Sequence, residues 1–274
     1  VQCRLSCVSH FRAGFLLWLL LIGTLVEARE NRIKFGVEQF DWREYDGSGK
    51  RLLTETGSRI LVGFEHSSRL AGKDSLFNLA IRGYFGNVDY RGHLQHPGGL
   101  LTAYSAKTHY WGIAVEPGYE AQFPSLQWSF IPTLSLGAGG EWWLRDLRGT
   151  YGYKEYYGVG YLRFEVGLKS KRPAGWFSRL GIKAPFLIRE KITEFYLDGK
   201  CDDVKLTPGK NNTLSFTIGY HLVNRAVVSL GYDGYRFSPS SRKRVSCDSQ
   251  FSGVEIFQPR SEMSLFMLRY SVPL

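Results

Sequence analysis

A membrane-spanning, antiparallel up-and-down β-barrel of about ten strands is the fold that this all-β sequence predicts, and three observations carry it. Past residue 28 no apolar run reaches the length of a spanning helix, yet ten segments alternate apolar and polar residues with the period of a strand. Gly 31 and an aromatic fraction of 15%, set against Met 2 and Cys 4, suit a β-rich chain with tight turns better than a helical bundle. The connections between segments alternate short and long, which separates one end of the molecule from the other. A mean hydropathy of -0.21 is too polar for a bundle of membrane helices.

Residues 1–28 are set aside first, because Arg4 and Arg12, the apolar run at 15–26 and the small-residue exit read as a secretory signal. Val26 and Ala28 occupy the positions of a cleavage site, and cleavage leaves Arg29 at the start of a barrel domain of residues 29–274. The run is shorter than the ~18 to 20 residues of a spanning helix.

The strands then follow in order: 32–42, 58–66, 76–89, 109–123, 126–144, 154–168, 176–188, 213–222, 226–236 and 258–274. The fourth puts Trp111, Ile113, Val115 and Tyr119 on one face and Gly112, Ala114, Glu116 and Glu120 on the other. The fifth sets Leu126, Trp128, Leu134, Leu136 and Trp142 against Ser129, Ser135, Gly139 and Glu141. Connections after the even strands are short, at 67–75, 124–125, 169–175 and around Asn224 and Arg225. Those after the odd strands, 45–57, 90–108, 146–152, 190–212 and 237–257, are polar and mostly long. An even strand number, short turns at one end and long loops at the other match an outer-membrane barrel, and closure leaves no unpaired edge in lipid. A soluble sandwich has no reason to sort its loops this way. Trp111, Trp128, Trp142, Trp176 and Tyr270 are the expected interface anchors.

In the last segment Leu274, Val272, Tyr270, Leu268 and Phe266 share a face. This resembles the C-terminal targeting strand of bacterial outer-membrane barrels, which the barrel assembly machinery reads during insertion, with Leu274 where a Phe is usual and Pro273 beside it. The stretches FGVEQFDWREYDGSG, GNVDYRG, GGEWWLRDL and QPRSEMSLFMLRY resemble pieces of small, broadly porin-like outer-membrane β-barrels of Gram-negative bacteria. The resemblance implies fold and location and transfers no catalytic or binding residue.

With the apolar faces on lipid, the opposite faces define a lumen of seven acids (Glu38, Glu65, Glu116, Glu120, Glu141, Glu165, Asp233) and seven bases (Lys34, Arg82, Arg145, Arg163, Arg179, Lys183, Arg269), with Tyr84 and Tyr235 among them. Desolvating an unpaired charge costs several kcal/mol, so these groups are expected to be paired or hydrated. Two readings stand: a salt-bridged filling that leaves an envelope structural protein, or a narrow passive channel for small solutes, since ten strands are too few for a wide pore. The formal charge of +10 places excess bases in the expected outer loops, at Lys50, Arg51, Lys200, Lys205, Lys210 and 242–244, where lipopolysaccharide is the anionic neighbour. No nucleic-acid motif accompanies them, and no partner beyond lipid and the assembly machinery is expected for a monomer.

Cys201 and Cys247 fall in outer loops on the same side, in an exported chain, and a disulfide between them is expected. They lack the second pair of ligands that a zinc site needs, and the sequence calls for neither metal nor cofactor. The alternative to a non-enzymatic barrel is an outer-membrane hydrolase acting at the loop end. Glu65, His66 and Ser68 loosely resemble the His and Ser of lipid A deacylases, but the topology puts them at the wrong end. His93 and His96 near Asp89 do not match the spacing of omptin-type proteases, and no residue is assigned a catalytic role.

Overall fold

The computed structural model describes residues 26–70, 74–95, 101–149, 152–194, 201–246 and 254–274. Ten long strands form the wall: β1 Val26–Tyr45, β2 Arg51–Leu70, β3 Ser75–Gln95, β4 Leu101–Gln122, β5 Phe130–Leu147, β6 Tyr153–Ser170 and β7 Gly175–Thr193, then β10 Thr213–His221, β11 Val227–Ser238 and β14 Arg260–Pro273. Each pairs antiparallel with its neighbour in sequence, and β1 also pairs with β14, so the sheet closes as a ten-stranded barrel without a free edge. Four short strands, β8 Val204–Leu206, β9 Gly209–Asn211, β12 Lys243–Val245 and β13 Val254–Ile256, lie in the two longest connections. β1 starts at Val26 and pairs with β2 across a bulge there, whereas its pairing with β14 starts at Arg32. The rest of the expected signal lies outside the described residues.

The start of β1 and the end of β14 share one end of the barrel, here the terminal end, where Leu274 N donates to Asn31 O at 2.9 Å. Every expected strand is present, but the long loops are not where the sequence placed them. The wall strands are longer than expected and consume the polar stretches at the far end, leaving 46–50 as the whole β1–β2 connection. That turn is built by Asp46, whose carboxylate accepts from Ser48 N and Lys50 N, both at 2.9 Å, while Gly49 takes a φ of 86° that side chains disfavour. Only the β7–β10 and β11–β14 connections remain long. A second correction falls at 123–129, a seven-residue turn where two were expected, so Leu126 and Trp128 sit in the turn and not on β5.

The reason for the first correction is a switch in which face is apolar. Along β1, Ile33, Phe35 and Val37 point outward and Lys34 and Glu38 inward; beyond Glu38, Phe40 and Trp42 are buried inside while Gln39, Asp41 and Arg43 point outward. β2 and β3 do the same: Ile60, Val62, Phe64 and Phe85 are exposed outward, but further along Leu53, Val88 and Tyr90 are buried inward. Outward apolar residues form a belt around the terminal two thirds of the wall, completed by Trp111, Ile113, Leu136, Leu162, Leu180, Phe216, Leu230 and Leu268. Beyond the belt the wall continues with a polar exterior, and what it encloses is an apolar core.

Candidate functional site

Two fillings occupy the bore. In the far half, Phe40, Trp42, Tyr110, Trp143, Tyr157, Tyr235, Phe237 and Met263 pack into one buried cluster. Trp143 lies flat on Tyr157 with ring centroids 4.8 Å apart, and Tyr235 stacks on Phe237 at 5.7 Å. Such pairs add about 0.5–1.5 kcal/mol each beyond the area they bury. The inward glycine at 112 makes room, since a Cβ there would stand 2.5 Å from the Tyr84 hydroxyl.

Charges are threaded through this aromatic packing. Arg145, fully buried, gives Nε and Nη2 to the two oxygens of Glu55 at 3.0 Å each and Nη1 to Glu155 at 2.7 Å, with Glu44 at 3.5 Å. Glu55 also accepts from Thr108 at 2.7 Å and from the Tyr110 hydroxyl. Arg59 bonds Glu38 at 2.7 Å, with its guanidinium 4.2 Å from the Phe40 ring centre and 4.3 Å from that of Tyr84. Glu190 adds a further buried carboxylate near Glu44 and Glu155, with no Lys or Arg nitrogen within 4 Å among the described residues. Glu44 and Glu190 stand beyond the apolar belt, level with outward Arg43 and Lys191. Burial pushes the Glu44 carboxyl up to about 7, Arg145 opposing and Glu155 reinforcing the shift, and burial beside the same carboxylates raises Glu190 well above the usual range. On the exposed rim the reverse holds: hydrogen bonds from Ser48 and Lys50 hold Asp46 below the ordinary carboxylate range, and Lys107 does so for Asp89.

A polar layer closes the middle of the bore. Glu141 accepts from Arg82 and Tyr84, both at 2.9 Å, and from Tyr235 at 2.6 Å; Asp233 takes Lys183 at 2.7 Å and Arg163 at 2.8 Å. Glu116 accepts from Tyr161 at 2.6 Å and Arg163 at 3.1 Å, with Glu165 3.8 Å from Arg163. From there to the terminal end the bore is a cavity of about 450 Å³, walled by charged and polar side chains interspersed with apolar ones such as Leu61, Phe64, Phe177 and Met267. Within it Lys34 pairs with Glu65 at 2.7 Å and Arg179 with Glu120 at 2.7 Å.

The candidate lumen residues therefore divide into groups. Glu38 and Arg145 sit in the far half, Arg82, Glu116, Glu141, Arg163, Glu165, Lys183 and Asp233 in or beside the polar layer, and Glu65, Glu120 and Arg179 in the open cavity. Sequence reasoning missed Glu44, Glu55, Arg59, Glu155 and Glu190. Glu55 lay in a stretch read as loop, and only its alternation with Leu53 and Arg59 on one face marks it as inward. Glu65 and His66, adjacent on β2, point to opposite faces: Glu65 pairs with Lys34 inside, while His66 Nδ1 meets Asn31 Oδ1 at 2.8 Å. They do not assemble with Ser68 into a nucleophile and base. His93 lies on the far extension of β3; His96 is outside the described residues. Cys201 is buried with Ile192, Val204, Leu206, Val245 and Ile256 under the two long far-end connections. Cys247 lies outside the described residues.

A closed, even-stranded barrel with an apolar outward belt and a filled bore is a transmembrane β-barrel of the outer-membrane type. No family model matches the sequence, and no curated protein matches it. Among solved structures the chain is similar to the outer membrane protease OmpT from Escherichia coli, with a TM-score of 0.51 at 10% identity over 89% of this chain and 97% of that one. It also aligns with the translocator domain of the autotransporter NalP from Neisseria meningitidis (TM-score 0.38, 10% identity, 97% and 96% of the two chains). A third match is the P. putida toluene transporter TodX (TM-score 0.34, 9% identity, 89% and 90%). At such identity the likeness to OmpT is one of fold.

Proposed function

We propose that this protein is a closed, non-enzymatic barrel of the bacterial outer membrane, exported by a cleavable signal, that serves the envelope as a structural element and does not conduct. The terminal end then faces the periplasm and the far half projects into the medium, its basic rim residues such as Lys50, Lys205 and Lys210 meeting lipopolysaccharide. The observation that carries this reading is the plug: Trp143, Tyr157, Tyr235 and Phe237 stacked across the bore, locked by Arg145 between Glu55 and Glu155. Protein interiors packed this way exclude water and ions. The carboxylates packed around Arg145 are buried and committed to it, which does not suit them to serve as the exposed base of a hydrolase.

Single-channel recording of the refolded protein in a planar bilayer tests the proposal. A silent bilayer is expected for the native chain, with conductance steps emerging when Trp143 and Tyr235 are both changed to Ala. Discrete steps from the native protein that change in Arg82→Ala or Glu116→Ala would make it a narrow channel instead.

A further inference from the structure

Two arginines of the cavity below the polar layer have no carboxylate oxygen within 4 Å among the described residues, Arg69, which is exposed, and Arg269, which is half-buried. Arg59, Arg82, Arg145, Arg163 and Arg179 each have a carboxylate oxygen within 4 Å. Arg269, inward on β14, has none among the described residues; Nη2 donates to Thr217 Oγ1 at 3.2 Å, and the shielded Nε has no partner. The charges that bear on it are mixed, Arg82 and Arg163 of its own sign and the carboxylates of Glu65 and Asp233 of the opposite one.

The wall is shaped to hold that side chain where it is. A Cβ on Gly231 would come 2.9 Å from Arg269 Nη2, and one on Gly36 would come 3.2 Å from Arg269 Cγ. Two glycines on the flanking strands thus form a bay in which the guanidinium lies, its open edge toward the cavity. The cavity wall as a whole carries eight Lys or Arg against six Asp or Glu, an excess of two positive charges. Lys169, nearer the mouth, is likewise without a carboxylate within 4 Å among the described residues.

We infer that this cavity is a binding site for a small, soluble phosphate-class dianion, inorganic phosphate or a phosphate monoester, entering from the terminal end. Arg269 presents a fixed planar fork, which suits two oxygens of a tetrahedral oxyanion, and Lys169 adds a point charge at the entrance. The volume of about 450 Å³ accommodates a monoester of modest size. The eight bases and six acids of the wall suit a soluble, multiply charged ligand, and titration with phosphatidic acid separates it from a lipid headgroup. The inference rests on the proposed function only for which compartment supplies the ligand, so a conducting barrel leaves the binding test intact.

The test is isothermal titration of the full refolded chain in zwitterionic detergent with inorganic phosphate, glycerol 3-phosphate and, separately, short-chain phosphatidic acid. Saturable binding of the two soluble anions is expected, weakened on the order of tenfold in Arg269→Gln and unchanged in Arg148→Gln on the far rim. Heat-modifiable gel mobility verifies that each variant is a closed barrel. Should Arg269→Gln fail that check, Lys169→Gln takes its place, with several-fold weaker binding expected. Absence of binding to about 10 mM would overturn the site, as would affinity unaltered in the folded variant. Tighter binding of phosphatidic acid than of glycerol 3-phosphate would overturn the soluble source.

Discussion

The two halves of this barrel solve opposite problems with one wall. In the terminal part lipid surrounds the strands, so apolar residues point outward and charges collect inside, where water reaches them through the open cavity. Beyond the belt water surrounds the strands, so polar residues point outward and the bore is filled with aromatic rings around a fully buried Arg145. Odd residues of β1 are the apolar ones up to Val37; even residues are, from Phe40 on. The charge balance also inverts: an excess of bases lines the cavity, while Glu44, Glu55, Glu155 and Glu190 surround Arg145 in the plug. The lesson is that a charge matters here according to whether water can replace its partner.

Removing the partner tests that most severely in the plug. Arg145→Leu leaves the surrounding carboxylates buried without their cation and is expected to destabilise the barrel by about 3–5 kcal/mol, read from urea unfolding of the refolded protein. A loss under about 1 kcal/mol, the range of exposed ion pairs, would mean that the far half is wetter than its packing implies.

The second test is pH. The folded state holds a proton on Glu44 up to about pH 7, whereas the unfolded chain releases it near the ordinary glutamate value. Between those points the folded state binds more protons, so stability is greatest below the unfolded value and falls as pH rises through 7, by up to about 3 kcal/mol. Glu44→Gln should flatten this dependence in unfolding curves taken between pH 5 and 8. A native protein that gains stability over that interval would contradict a proton held on Glu44 in the folded state.

The smallest effect belongs to the cavity. The Arg179 side chain is 37% exposed while Glu120 beside it is buried and also accepts from Gln122 at 3.0 Å, so Arg179→Gln, whose amide can still donate to Glu120, should cost about 1–2 kcal/mol, less than Arg145→Leu. A loss matching that of Arg145→Leu would erase the distinction between the halves.

Much of this was legible in the sequence because strand alternation is local. Trp111, Ile113 and Val115 against Gly112, Ala114 and Glu116 identify a strand and its lipid face without reference to any other part of the chain. The extensions beyond 32–42 on β1 and beyond 58–66 and 76–89 on β2 and β3 were not read as strands, because they are polar outside, and within 32–42 the change of face after Glu38 was not read. FGVEQFDW contains both phases, Phe35 and Val37 in one and Phe40 and Trp42 in the other. The polar run containing Glu55 looks like a loop for the same reason, and with it went the main partner of Arg145.

Strand number, lipid face and the inward direction of most lumen charges were therefore set by residues within a few positions of one another. Whether those charges are buried, paired or left open depended on which strands meet across the bore. Glu55 and Arg145 are 90 residues apart and Arg163 and Asp233 are 70 apart, and no local pattern encodes such a meeting. Arg269, which has no carboxylate within 4 Å among the described residues, and the cavity before it belong to the same category, because the lack of a close partner is a property of the closed barrel and not of any one strand.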